Sequence, residues 1–200
     1  MNLDLKIVLP VVIAFCISVV LCPIVIPFLK KLKFGQFVRD DGPQAHLKKA
    51  GTPTMGGLII LLSLTITTLI YMKKYPDVLP VLFVTLGFGL IGFIDDYIKV
   101  VMKRSMGLHA WQKMLGQIVV TGVFAYYVEK YSDINNELII PFLGTTVQLN
   151  STLSVILLFF IVLGTVNGAN FTDGLDGLAS SVTVLIATFF AVVAVGTGSG

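Results

Sequence analysis

Six stretches of this chain carry no charged side chain, and they limit what it can fold into. They are Ile7–Phe28, Met55–Met72, Val78–Ile94, Met114–Val128, Leu138–Thr172 and Gly177–Gly200. A helix needs about 20 apolar residues to cross the hydrocarbon of a bilayer, whereas a helix on a soluble core keeps a charged face. Charged residues make up 12% of the chain and hydrophobic ones 56%, against roughly 25% charged in a soluble domain. Together these features predict an all-α polytopic membrane protein with six transmembrane helices in a single domain over residues 1–200. They exclude a soluble globule, a nucleic-acid-binding module and a disulfide scaffold.

Orientation follows from where Lys and Arg fall in the short loops, not from the net charge of +3. Lys30, Lys31, Lys33, Arg39, Lys48 and Lys49 follow the first run, and Lys99, Lys103, Arg104 and Lys113 follow the third. Only Lys6, Lys73, Lys74 and Lys130 belong to the other side. The first set marks the cytoplasmic side, which puts the N-terminus outside. The first run has 22 residues, too many for the apolar region of a secretory signal, roughly 7 to 15 residues. It reads as a retained helix with Pro10, Pro23 and Pro27 near its ends. Cys16 and Cys22 within it read as small buried hydrophobes.

Leu138–Thr172 is too long for one span. Pro141, Gly144, Thr145, Thr146 and Gln148 interrupt its first part, and the flanking apolar segments predict a short external β-hairpin near residues 138–149. A helix from about Thr152 to Val166 then returns to the cytoplasm. The sequence stops at Gly196-Thr-Gly-Ser-Gly200 without a closing polar tail. That reads as the N-terminal part of a longer polytopic chain.

Three constellations could carry chemistry. Asp95 and Asp96 end the third run, and on a continuing helix Lys99 lies four and three residues further on, with Lys103 one more turn along. The plain account is a solvated helix end. The alternative is a face on which carboxylates and ammonium groups meet Mg²⁺ and phosphates, since that ion takes one or two carboxylates plus waters and substrate oxygens. The second is Asn167-Gly-Ala-Asn170-Phe-Thr-Asp173-Gly-Leu-Asp176-Gly177, with an amide or carboxylate at every third position. Three helical residues turn about 300°, so the row shares a face only if the backbone tightens or unwinds, which Gly168, Gly174 and Gly177 would permit. The third is the loop Arg39–Gly57, where Lys48, Lys49, Thr52 and Thr54 offer donors to an anion among turn-forming Gly and Pro. A topology-setting basic loop would explain its lysines but not the order Gly51-Thr-Pro-Thr-Met-Gly-Gly57. His46 and His109 stay unassigned.

These residues resemble a known family. Arg39-Asp-Asp-Gly-Pro-Gln-Ala-His46, Gly51-Thr-Pro-Thr-Met-Gly-Gly57, Asp95-Asp-Tyr-Ile-Lys99, Lys103-Arg-Ser-Met-Gly-Leu108 and Asn170-Phe-Thr-Asp-Gly-Leu-Asp-Gly-Leu-Ala179 together resemble the bacterial phospho-N-acetylmuramoyl-pentapeptide transferases of peptidoglycan synthesis. The likeness runs from the first span to the end of the chain. It implies transfer of phospho-N-acetylmuramoyl-pentapeptide from UDP-MurNAc-pentapeptide to undecaprenyl phosphate, with release of UMP, formation of lipid I and a requirement for Mg²⁺. It also implies a homodimer of about ten helices per chain in the bacterial cytoplasmic membrane, with the active site facing the cytoplasm.

By this resemblance Asp95 and Asp96 match paired catalytic aspartates, and Asn170, Asp173, Asp176 and Gly177 match a nucleotide and active-site loop. Asp176 joins the pair as an expected catalytic residue. Lys48, Thr52, Lys99 and Lys103 match polar positions of the same cleft, and Asn167 is expected to bind substrate with them. Asp95, Asp96 and Asn170 are the expected metal ligands. A further aspartate and a histidine-rich motif of the family have no counterpart in these 200 residues. Two other readings stay open: a sister transferase of GlcNAc-1-phosphate to polyprenyl phosphate, and an ion-coupled transporter. The Arg39–Gly57 motif favours the muramoyl branch. Transporter sites lie near the bilayer midplane, whereas these carboxylates follow cytoplasmic helix ends.

Overall fold

A computed structural model describes residues 5–31, 54–102, 106–131, 136–140, 145–173 and 177–196. The described residues form six helices and one strand pair: α1 Leu5–Lys31, α2 Gly57–Tyr71, α3 Val78–Val101, α4 Ala110–Tyr131, β1 Glu137–Ile140, β2 Thr145–Gln148, α5 Ser151–Thr172 and α6 Leu178–Gly196. Four of these helices hold stretches long and apolar enough to cross a membrane: Val8–Lys31, Val78–Val101, Ser151–Thr172 and Leu178–Gly196. The chain is thus mostly helical and polytopic in character. α2 has only 15 residues, about 22 Å at about 1.5 Å per residue. α4 has 22 but carries Gln112, Lys113, Gln117, Glu129 and Lys130 along its length.

The chain divides into two compact units, residues 1–116 and 117–199. In the first, α1 packs on α2 and α2 on α3. α1 stays helical through Pro10, Pro23 and Pro27, so the last two prolines lie inside the helix and not at its end, because the helix runs on to Lys31. Cys16 and Cys22 are free thiols. Cys16 lies on an exposed face, contrary to its expected burial, as no described residue of the first unit covers that side of α1.

Small hydroxyl side chains join α1 to α2. Ser18 Oγ donates to Ser63 Oγ at 2.8 Å, Ser63 Oγ donates to the Ile60 carbonyl at 3.0 Å, and Thr67 Oγ1 donates to the Ser63 carbonyl at 2.8 Å. Ser63 and Thr67 are both buried. Hydrocarbon offers no water to such groups, so each must find a partner in the protein, and small side chains let the backbones approach. α2 begins late within its apolar run because Met55 is in the left-handed region at φ 69°, which costs a non-glycine residue about 1 kcal/mol or more. Burial of the Met55 side chain offsets that cost.

The second unit holds the rest of α4, the strand pair, α5 and α6. The strands are antiparallel, with Glu137 opposite Gln148 and Ile140 opposite Thr145, in the segment where Gly144 and its flanking apolar residues predicted a hairpin. Asn150 caps α5 by accepting from the Leu153 N–H at 2.7 Å. Ser151 Oγ donates to Glu129 Oε1, tying α5 to the end of α4. Gln117, Thr121 and Ala125, one turn apart on α4, are all buried. α4, β1 and α5 line an open pocket of about 330 Å³, walled mainly by aliphatic side chains.

α5 corrects one expectation. It stays helical from Ser151 through Asn167 and Asn170 to Thr172, with no tightening or unwinding around Gly168. Thr172 Oγ1 donates to the Gly168 carbonyl at 2.8 Å, and the Asp173 N–H to the Ala169 carbonyl at 3.2 Å, so the backbone acceptors here are satisfied in place. Asn167 and Asn170 therefore project about 60° apart and do not stack in a row. The left-handed residue is Gly177 at φ 79°, just before α6.

Candidate active site

α3 is apolar as far as Ile94 and then presents Asp95, Asp96 and Lys99 in its last two turns. The helical spacing turns the two aspartates into different surroundings. Asp95 is buried, with 6% of its surface exposed, while the Asp96 side chain is 44% exposed. A buried carboxylate is sustainable only if its oxygens are paired, and those of Asp95 are. Lys99 Nζ donates to Oδ2 at 2.7 Å, Lys113 Nζ lies 3.5 Å from the same oxygen, and the Leu108 N–H donates to Oδ1 at 2.8 Å. Lys99 Nζ also reaches Asp96 Oδ1, at 3.5 Å.

Two carboxylates and two ammonium groups therefore share one corner of the first unit. Adjacent anions at a helix end repel, and the lysines cancel that repulsion. The charge is unevenly distributed: Asp95 accepts two hydrogen bonds and pairs with Lys113 as well, whereas Asp96 meets only the longer arm of Lys99 among the described residues. An exposed carboxylate beside ammonium groups is suited to hold a hydrated divalent cation or to face a phosphate. The donor chemistry fits Mg²⁺, with Asp96 as the carboxylate having capacity to spare. The described residues contain no group of three or more His, Cys, Asp or Glu placed to hold a metal by themselves. Such an ion would complete its shell with waters and substrate oxygens.

In the second unit, Asn167 lies against α4. Its Nδ2 donates to Gln117 Oε1 at 2.9 Å and to the Leu163 carbonyl at 2.8 Å, while Gln117 Nε2 donates to Asn167 Oδ1 at 3.5 Å. Both N–H groups of Asn167 are thus engaged inside the protein. Asn170 and Asp173 are exposed, as is Gly177. Lys48, Thr52, Lys103 and Asp176, also expected at the site, lie outside the described residues.

Sequence reasoning missed three contributors. Lys113 was only a basic residue on the cytoplasmic side, Gln117 an ordinary helix position, and Leu108 an apolar residue whose backbone N–H turned out to matter. Only Gly107-Leu108 within the Lys103–Leu108 motif offered a signal, because a glycine at a loop end marks a close approach.

The chain belongs to glycosyl transferase family 4, whose profile it matches over residues 78–200. Within that family, residues 49–61 match signature 1 of the phospho-N-acetylmuramoyl-pentapeptide-transferases. The chain is similar to curated proteins of that name from Caldicellulosiruptor bescii (47% identity over 197 residues, 96% of this chain and 59% of the relative) and Bacillus subtilis strain 168 (46% over 196 residues, 96% and 60%). The relative from Acetivibrio thermocellus is 49% identical over 185 residues, 92% of this chain and 55% of the relative. The chain spans about 60% of the length of the first two.

Proposed function

We propose that this protein transfers phospho-N-acetylmuramoyl-pentapeptide from UDP-MurNAc-pentapeptide to undecaprenyl phosphate, releasing UMP and forming lipid I. The observation that carries this reading is the Asp95, Asp96, Lys99 and Lys113 corner, in a chain that bears the transferase signature at residues 49–61. An oxygen of the acceptor phosphate attacks the sugar-linked phosphorus of the donor. The bond from that phosphorus to the bridging oxygen breaks, and UMP leaves with the oxygen.

The acceptor phosphate has a second pKa near about 6, so it is mostly dianionic at neutral pH and needs no strong base. The work left to the protein is to gather anions and hold them in line. Lys99 and Lys113 lower the repulsion between the incoming phosphate and the diphosphate, and Asp95 keeps both ammonium groups in place. Asp96, with Asp95 and Asn170 as further candidates, would hold Mg²⁺. When bound, that ion neutralises charge on the diphosphate oxygens. Asp176, Asn170, Asp173 and Gly177 would receive the nucleotide, Lys48, Thr52 and Lys103 the phosphates, and Asn167 would support that loop.

We further place the protein in the bacterial cytoplasmic membrane with the N-terminus outside and the site on the cytoplasmic side, because the basic loops gather there. On this orientation the strand pair is external. The functional unit is a homodimer.

The test is UMP release by the complete gene product in detergent, with Mg²⁺ and undecaprenyl phosphate, from UDP-MurNAc-pentapeptide or UDP-GlcNAc in parallel. Release with the muramoyl donor alone is expected. Release with UDP-GlcNAc alone would reassign the protein to the sister GlcNAc-1-phosphate transferases, and no release by folded protein from either donor would remove the transferase reading.

A further inference from the structure

Gly107 and Leu108, shortly before α4, lie against Asp95. A Cβ built on Gly107 would collide with Asp95 Oδ1 and would lie 2.6 Å from the Asp95 carbonyl oxygen and 2.9 Å from Cγ. Two of those atoms belong to a buried carboxylate and one to helix backbone, so none is the far end of a flexible side chain that could swing aside. The next residue supplies the Leu108 N–H that binds Oδ1 at 2.8 Å. Glycine at 107 is what allows the peptide to come close enough for that bond.

We infer that Gly107 and the Leu108 amide form a clamp that positions the acidic pair through Asp95. The inference rests on the transferase reading above. The clamp occupies Oδ1, which leaves Oδ2 facing Lys99 and Lys113. Lys99 lies between the two carboxylates, 2.7 Å from Asp95 and 3.5 Å from Asp96. Were Asp95 pushed away, the nearest remaining anion for Lys99 would be Asp96. That ammonium would then occupy the carboxylate that has capacity for a ligand. The clamp therefore affects the direction in which charges face the reacting phosphates, and its loss should lower kcat more than it raises KM for the nucleotide donor.

The experiment uses the complete gene product in detergent and compares Gly107→Ala, an amide-to-ester replacement at Leu108 that deletes only the N–H, Met106→Ala at the exposed neighbour, and Asp95→Asn. A misplacement of about 1 Å at a reacting centre costs roughly 100-fold, which is the kcat loss expected for Gly107→Ala, with KM for UDP-MurNAc-pentapeptide within about twofold. Loss of a hydrogen bond to a charged acceptor predicts about a tenfold fall in kcat for the ester. Met106→Ala should match the parent. If Gly107→Ala fails to fold, the ester decides the question. Parental kcat in the ester variant beside an inactive Asp95→Asn would overturn the clamp and leave the transferase reading standing, as would a rise in KM at constant kcat. Parental UMP release by Asp95→Asn would overturn the clamp and the placement of the site at Asp95, whereas no UMP release by the folded parent would overturn the transferase reading itself.

Discussion

Gln117 on α4 and Asn167 on α5 hydrogen-bond to each other in both directions across 50 residues of sequence. Gln117 is 2% exposed, and its Oε1 meets Asn167 Nδ2 at 2.9 Å. Paired amides of this kind hold two apolar helices in one rotational setting, because any other leaves a polar group facing hydrocarbon. The setting matters here because Asn170 and Asp173 follow Asn167 by one and two turns. The pair therefore controls how the C-terminal end of α5 is presented.

Replacing either partner by Leu should destabilise the fold, as the other amide is left unpaired. About 1 to 2 kcal/mol is expected for each single change, within the range for interhelical hydrogen bonds in membranes and buried unpaired groups. Gln117→Leu with Asn167→Leu should cost less than the two singles together. Reversible unfolding in mixed detergent micelles, arranged as a double-mutant cycle, measures the coupling. Strict additivity would mean that the bond contributes nothing.

The two aspartates should respond differently to the same change. Asp95→Asn removes the charge that faces Lys99 and Lys113 in a buried position, and about 2 kcal/mol of stability should go with it, the partial exposure of both lysines keeping the loss below that of a fully buried pair. Asp96→Asn alters a half-exposed group and should leave the unfolding midpoint within experimental error of the parent. Both should abolish UMP release. An Asp95→Asn protein as stable as the parent would show that the buried pairing carries no folding energy.

The parts legible in the sequence were those governed by short range. Asp95 and Lys99 are four residues apart, so helical periodicity alone brought them together. Gly144 between two apolar segments was enough to indicate paired strands. The contacts of Asp95 with Leu108 and Lys113 span 13 and 18 residues, separations that no helical periodicity reveals. Gln117 was invisible for the same reason, since its partner lies on another helix. The row of polar groups from Asn167 to Asp176 would share a face only on a tightened or unwound backbone, and over Asn167–Thr172 the backbone is neither. In apolar surroundings the helix keeps its own hydrogen bonds, and Gly168 does not break it.

Close helix contact at Gly89 gives a packing prediction. A Cβ there would lie 2.6 Å from Leu61 Cδ1, the end of a flexible side chain on α2. Gly89→Ala should therefore force Leu61 to another rotamer and cost about 1 kcal/mol, at the low end for overpacking. Leu61→Ala in the same protein should recover part of that loss by making room. If Gly89→Ala is neutral by itself, α2 and α3 are not in the tight contact described.

Lys113 separates charge from shape at the acidic corner. Its Nζ is 3.5 Å from Asp95 Oδ2, the longer partner of Lys99 at 2.7 Å, and its side chain is 25% exposed. Lys113→Met keeps the stem but removes the ammonium, so kcat/KM for UMP release should fall about tenfold, equivalent to about 1.4 kcal/mol of lost transition-state stabilisation. Lys113→Arg keeps the charge and should retain most of the activity. The fall in Lys113→Met should shrink as salt rises, because screening weakens the same attraction in the parent. Equal losses in Met and Arg, independent of salt, would assign Lys113 a packing role and leave Lys99 as the ammonium that serves the phosphates.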